Sequence, residues 1–281
     1  MVVDACRRLT AIAPLDEYQY VGFGGLEFID FVEFHRGLGI AIMTSIERDT
    51  NMQHRLEFNK PYKGITVLMG EARDRLPEID WKRLSIIWLD YTEMLTKDIL
   101  RDVDFVVRSS IPGSMIVVTV NGACSDIPLS ERLGILKVNL GDLVADELEN
   151  DDMTGWGPAK VERTLLQDAA YTAGRNAHGL PFRQLFNFQY ADDAKMLTWG
   201  GIVTSSSLER TIDNCRFEDL NFICTGDEAF EIKVPFLTER EIAYLESEFV
   251  GVAGARPSIK GVDASDIEAF ARIYRWRVGT R

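Results

Sequence analysis

Four short clusters of side chains have the types and spacing for ligand chemistry, and each closes an apolar run. Val21-Gly22-Phe23-Gly24-Gly25 follows the first run, Glu47-Arg48 the second, Met69-Gly70-Glu71-Ala72 the third and Asp90-Tyr91 the fourth. Glycines let a backbone approach a ligand that a Cβ would hold off. Glu47 falls about twenty residues beyond the glycines, the spacing at which an acid grips a ribose diol. Two neutral hydroxyls need an acceptor for both protons, and a carboxylate is one. Each cluster also has a plain structural reading, because glycines make turns and an acid ending a strand caps the next helix. The combination carries the ligand reading; no single cluster does.

The elements that must position these clusters follow from the runs themselves. Residues 18–22, 40–46, 65–69, 84–89 and 114–120 are nearly continuous apolar stretches rich in Val and Ile. Such runs suit parallel strands covered on both faces. Segments with helical spacing separate them, from Leu26 to His35, Thr50 to Phe58, Ala72 to Ile79 and Glu93 to Val103. The expected fold is therefore α/β, a doubly wound, mostly parallel sheet with right-handed crossovers. Ligands of such sheets bind beyond the carboxyl ends of the strands, where the four clusters fall.

On these residues the chain resembles the class I S-adenosylmethionine-dependent methyltransferases, a Rossmann-like superfamily, over roughly residues 16–121. Val21 to Gly25 looks like the glycine-rich first motif, and Ser45-Ile46-Glu47-Arg48-Asp49 like the second, whose acid binds the ribose. Met69 to Ala72 looks like the third, where an acid or amide reads the adenine amino group, and Trp88-Leu89-Asp90-Tyr91 like the fourth, beside the transfer centre. The resemblance implies S-adenosylmethionine as methyl donor and S-adenosylhomocysteine as product. It implies cofactor contacts at Gly22, Phe23, Gly24, Gly25, Glu47, Arg48, Gly70, Glu71, Ala72 and Asp90. Asp90 and Tyr91 are the implied catalytic residues, Asp90 orienting the acceptor or holding the cofactor amine and Tyr91 forming a pocket wall.

Two positions depart from the family pattern. Tyr20 stands where an acid usually precedes the first glycine by two residues, and Leu26 stands at the third glycine. A nicotinamide enzyme is the competitor on a similar sheet, but Glu27 occupies the third glycine of GxGxxG, where close helix packing needs no side chain. The amino-methylating DPPY motif is absent, and Asn59-Lys-Pro-Tyr62 follows the wrong strand for it. A catechol-type enzyme would place magnesium on acids after strands four and five. Asp90 matches, yet Val120 replaces the second acid, so no metal is expected.

The second half supports the methyl-donor reading. Phe182 to Tyr190 and Ala194 to Val203, joined by Ala191-Asp192-Asp193, read as a terminal antiparallel hairpin. Gly122 to Pro181 reads as a helical insert near the carboxyl edge, placed to be a lid or substrate wall. Its acids Asp146, Glu147, Glu149, Asp151 and Asp152 have no fixed ligand spacing and read as a solvated helix end. The expected division is a core over residues 1–204, including the insert 122–181, and an α-rich C-terminal appendage over 205–281. Within the appendage, Phe230 to Val234 suits a strand, Thr238 and Glu241 have capping-box spacing, and Ser265 to Trp276 suits a helix. It reads as an interaction module for a protein partner or a second copy, with a basic, aromatic end.

Composition narrows the partners. The 281 residues carry 44 acids against 31 Lys and Arg, a formal charge of −13, which disfavours phosphate-backbone binding. No apolar run reaches the ~18 residues of a membrane span, and Met1 to Leu15 lacks a secretory core. Cys6, Cys124, Cys215 and Cys224 form no CxxC pair, and His35, His54 and His178 are far apart, so reduced thiols in a cytoplasmic protein are expected. The leading reading is a methyltransferase acting on a small molecule or protein. The alternative, motivated by Tyr20 and Leu26, is a methyltransferase-like scaffold that binds a nucleotide or a partner within a complex.

Overall fold

The apolar runs become the five parallel strands of one sheet. In the computed structural model, which describes residues 1–122, 127–191, 194–249 and 257–276, β1 (Gln19–Gly22), β2 (Ile42–Glu47), β3 (Ile65–Met69), β4 (Ser85–Asp90) and β5 (Met115–Asn121) lie parallel. The expected hairpin forms from β6 (Arg183–Ala191) and β7 (Lys195–Ile202), and β7 inserts antiparallel between β5 and β6. Its turn residues Asp192 and Asp193 lie outside the described residues. A short β8 (Phe230–Ile232) adds parallel to β6, giving the order β3-β2-β1-β4-β5-β7-β6-β8. The strand order reverses between β1 and β4, and a ligand crevice opens there.

Alternation along the strands divides the core between the two faces. Val21, Ile87, Ile116 and Val118 join one cluster with residues of α5 (Lys97–Ser109) and α7 (Gly157–His178). Tyr20, Ile86, Met115 and Val117 join the other with α1 (Val2–Arg7) and α2 (Ile29–Leu38). The shorter α3 (Gln53–Asn59) and α4 (Ala72–Arg75) complete the crossovers around β3.

Three local departures from expectation have physical causes. α2 starts at Ile29 rather than Leu26, because Gly25 and Phe28 take left-handed backbone angles (φ 53° and 49°) and a turn occupies 25–27. Leu26 therefore lies in the turn, and the third-glycine position of a helix-opening motif has no counterpart here. α5 starts at Lys97, not Glu93, where the Thr96 hydroxyl accepts from the Ile99 amide at 3.2 Å. The insert is not a lid. α7 lies against α5 and buries Ala159, Leu166, Ala170 and Ala173 in the sheet core, its small residues allowing close approach. α6 (Leu129–Leu140) adds Leu136 and Leu140 to the same cluster. The acids of the insert sit around a solvent-facing turn at Asn150–Met153, where Glu149 and Asp152 form a capping box.

Beyond the hairpin, α8 (Glu209–Asn214) and the chain to β8 pack Ile212, Phe217, Phe222 and Phe230 into the second core cluster. α9 (Glu239–Phe249) and α10 (Ala264–Ile273) share a small core of Ile242, Leu245, Ile267 and Phe270. The capping box at α9 forms as expected, with the Thr238 amide donating to Glu241 at 2.7 Å. After α10, the Trp276 ring meets Phe222 edge-on at 5.2 Å, and its indole N–H donates to Asp4 beside α1. Among the described residues no helix is long and apolar enough to cross a membrane. Cys124 and residues 277–281 lie outside the described set.

Candidate functional site

The glycine turn after β1 is held by a small relay from β2. The Gly24 amide donates to Ser45 Oγ at 3.0 Å, Ser45 donates to Glu47 Oε1 at 2.7 Å, and the Gly25 amide donates to the same oxygen at 2.9 Å. An alanine Cβ at Gly24 would lie 2.5 Å from the Phe28 ring, so only glycine allows the turn to sit this close to β2. The next turn is tied to the same strand, with the Gly70 amide donating to the Glu47 carbonyl at 2.8 Å.

Two adjoining cavities open along this carboxyl edge. One, about 400 Å³, is lined by Glu47, Arg48, Gly70, Glu71, Ala72 and Tyr91, among others. The other, about 880 Å³, is lined by Gly24, Gly25, Leu26, Asp30, Trp88 and the start of α1. Phe23 and Asp90 border both. The structure thus brings the residues singled out after β1, β2, β3 and β4 to one continuous crevice. Gly22 stands behind it rather than in it.

Titratable groups in the crevice depart from their ordinary values. Burial pushes Asp30 up to about 6, against the hydrogen bond it accepts from Tyr20, and the charge on Asp90 adds to the rise. Asp90 reaches solvent but stands deep among the strand ends; burial raises its carboxyl, partly offset by a hydrogen bond from Thr119. Tyr91 is raised by burial and by Asp102, to which its hydroxyl donates at 2.7 Å. Its ring meets Phe23 edge-on at 5.1 Å, and both rings border the smaller cavity. Arg48 pairs with Glu93 at 3.8 Å across the rim.

Three further polar residues stand in or beside the crevice without a sequence signal that singles them out. Asp30 reaches the crevice through the turn before α2 and carries no motif spacing. Tyr190 and Thr198, on the hairpin, form a polar chain with Thr119 and Trp88: Trp88 Nε1 donates to Thr119 Oγ1 at 3.0 Å, Thr119 and Thr198 hydroxyls lie 2.9 Å apart, and Tyr190 lies 3.3 Å from Thr198. Among the described residues no three His, Cys, Asp or Glu side chains gather as a metal site.

Comparison with known proteins gives one match to the nearly full chain. A family model described as "Putative O-methyltransferase" matches residues 1–277. No curated protein matches the chain. Among solved structures, cofactor-bound Rv0187 from MTB is similar at 16% identity, covering 73% of this chain and 79% of that one, with a TM-score of 0.43. Human N-acetylserotonin methyltransferase in complex with SAM is similar at 15% identity, covering 72% of this chain and 52% of that one, with a TM-score of 0.40.

Proposed function

The chain belongs to the family described as "Putative O-methyltransferase", matched over residues 1–277, and from that premise we propose that it is an S-adenosylmethionine-dependent methyltransferase of class I whose own residues serve the reaction as follows. The adenosine half of the cofactor occupies the smaller cavity, with the adenine toward Gly70, Glu71 and Ala72 and the ribose on Glu47. Each carboxylate oxygen has about two acceptor positions, so Glu47 holds the glycine turn through Oε1 and retains capacity for the diol. The methionine half extends past Phe23 and Asp90 into the larger cavity, where Gly24 and Gly25 leave room and Asp30 supplies a carboxylate.

The residues present fit this group. A sulfonium is cationic, and Asp30 and Asp90 place two carboxylates on the cavity where it would stand. When bound, the sulfonium supplies an activated methyl group. The protein then positions the acceptor, excludes water and accepts a proton. Asp90 takes the last role, since it borders both cavities and its raised carboxyl is nearer to neutral operation. The acceptor atom in this reading is oxygen on a small molecule. Free thiols at Cys6, Cys215 and Cys224 support a cytoplasmic setting.

One observation carries the assignment: Glu47 and the Asp30–Asp90 pair line two cavities that meet at Phe23 and Asp90. Calorimetric titration with S-adenosylhomocysteine tests it. Saturable binding to the wild-type chain, weakened about tenfold or more in Glu47→Ala, is expected from loss of charge-assisted bonds worth ~1.5–3 kcal/mol. An absence of binding to the wild-type chain overturns it.

A further inference from the structure

A third cavity, about 620 Å³, lies beside the crevice and has no place in the cofactor reading above. It opens between the hairpin end of the sheet and the C-terminal helices. Five aromatic residues line it, Trp88, Phe188, Tyr190, Phe270 and Trp276, and the remaining lining is mostly aliphatic. Trp88, Trp276, Met1 and Val2 border both this cavity and the larger part of the crevice, so the two spaces adjoin. Val234 lines it and is 73% exposed, while the neighbouring Phe236 is 94% exposed, which gives the chain around it an apolar surface.

Polar groups gather at one place. Tyr190 and Thr198 line the cavity, and their hydroxyls continue through Thr119 to Trp88 and Asp90. An apolar pocket of this volume with polar groups at one end is the form of a small-molecule site. We propose that this cavity holds the methyl acceptor, and that the acceptor is a flat aromatic compound bearing an acidic, phenol-type hydroxyl directed at Asp90. This rests on the methyltransferase reading and adds the substrate class to it. It also gives the C-terminal segment 205–281, through Val234, Phe270 and Trp276, the work of walling the acceptor rather than serving only as an interaction module.

The hydroxyl's acidity follows from the bases at hand. Among the described residues no histidine or lysine lines any of the three cavities, and of the carboxylates that line the crevice, Asp30 and Asp90 among them, Asp90 is the one that accepts a hydrogen bond from Thr119, at the end of the polar chain from the third cavity. A carboxylate relieves a phenol, of pKa about 10, of its proton far more readily than an alkanol, which is a far weaker acid, close to water. In the step itself, the acceptor oxygen forms a bond to the methyl carbon. The carbon–sulfur bond breaks with its electron pair left on sulfur, and the phenolic proton passes to Asp90. The flat aromatic walls favour a ring over a chain, since ring faces and edges stack.

The test uses the full chain with 2-naphthol and its saturated counterpart decahydro-2-naphthol as probes. Binding is read by tryptophan fluorescence and calorimetry with S-adenosylhomocysteine present, and methyl ether formation by mass spectrometry with S-adenosylmethionine. The expected result is that 2-naphthol binds and is methylated, with the decahydro compound methylated at least 100-fold more slowly. Ile273→Trp and Ile232→Trp, which fill the cavity, should each weaken naphthol binding at least tenfold while changing S-adenosylhomocysteine affinity less than twofold. If S-adenosylhomocysteine binds the wild-type chain but 2-naphthol does not, this proposal fails and the cofactor reading stands. Equal methylation of the two probes, or naphthol binding unchanged in both variants, also overturns it. Should a variant lose S-adenosylhomocysteine binding, the comparison of probes on the wild-type chain still decides. Failure of the wild-type chain to bind S-adenosylhomocysteine removes the premise instead.

Discussion

The Tyr20 hydroxyl, buried beneath the glycine turn, donates a hydrogen bond to Asp30 Oδ2, and the pair stands against Gly22. An alanine Cβ at position 22 would lie 2.7 Å from that hydroxyl and 3.1 Å from that carboxylate. The acid missing from the end of β1 is thus matched by one brought in at the start of α2, with tyrosine as its holder. Tyr20 itself is stacked on Phe34 at 4.2 Å, so the holder is fixed by packing as well as by the bond. Tyr20, which motivates the scaffold reading, thus stands with a carboxylate that lines the larger cavity.

Asp30 should make cofactor affinity depend on pH. With its carboxyl at about 6 in the free protein, it is largely protonated at pH 5 and ionised at pH 7. A bound sulfonium favours the ionised form, so binding releases protons near pH 6 and affinity rises from pH 5 to 7. S-adenosylhomocysteine, whose sulfur is neutral, should show a smaller rise. Asp30→Asn should remove the pH dependence and weaken S-adenosylmethionine by about 10-fold or more, from one charge-assisted contact. Titration in two buffers of different ionisation heat counts the protons. An affinity independent of pH in the wild-type chain contradicts the role.

What was legible beforehand divides along the lines of local and long-range information. Ile40 to Ile46 and Ile65 to Met69 announce strands because each is a nearly unbroken apolar run; β2 and β3 form there, β2 ending one residue later at Glu47 and β3 standing at the sheet edge with Ile65 buried and its other residues partly or fully exposed. Glu47 and Asp90 were readable because each directly ends such a run. Asp30 was not, since its place depends on left-handed angles at Gly25 and Phe28 that redirect the chain before α2. Leu166, Ala170 and Ala173 fit a helix near the crevice as well as one under the sheet; only the packing of α7 on α5 decides between them. Tyr190 and Thr198 alternate within an ordinary hairpin and gain meaning only through Thr119 on the neighbouring strand.

The Ser45 hydroxyl couples the glycine turn to the proposed ribose acid. Ser45→Ala removes the bond from Gly24 and the bond to Glu47 Oε1 together. Leaving a partly buried amide unpaired costs ~1–3 kcal/mol. Chemical denaturation should show a loss of about that size, and S-adenosylhomocysteine affinity should fall several-fold as Glu47 loses its fixed orientation. Unchanged affinity together with unchanged stability excludes the coupling.

Asp90→Asn separates proton transfer from binding. The amide retains the shape but cannot take a proton, so kcat for a phenolic acceptor should fall by about 10²–10⁴, the usual contribution of a general base. S-adenosylhomocysteine affinity should change far less. Because burial raises the wild-type carboxyl, the acid limb of the rate profile should lie above the ordinary aspartate range, and the variant should lack that limb. A variant that keeps the limb assigns the base elsewhere.

Glu162 ties stability to pH from inside the fold. It is fully buried on α7, where Oε1 accepts from the Leu95 amide at 3.0 Å and Oε2 has no hydrogen-bond partner among the described residues, and burial pushes its carboxyl up to about 8. In the unfolded chain the group titrates near 4.3. Between those values the native state holds a proton that the unfolded state has lost, so this group's contribution falls as pH rises toward 8. Glu162→Gln keeps the acceptor for Leu95 and cannot ionise. Urea denaturation should find the variant close to wild type at pH 5 and more stable by ~1–3 kcal/mol at pH 8, since each tenfold difference in proton affinity between the two states is worth ~1.4 kcal/mol. The difference between the two proteins isolates this site from all other titrations. Leu95 lies in the loop between Tyr91 and Thr96, both of which line the smaller cavity, so this carboxyl helps hold that loop, together with the Asn121 amide on the Glu93 carbonyl at 2.9 Å. A stability difference that stays constant from pH 5 to 8 would show that Glu162 is already ionised in the native protein.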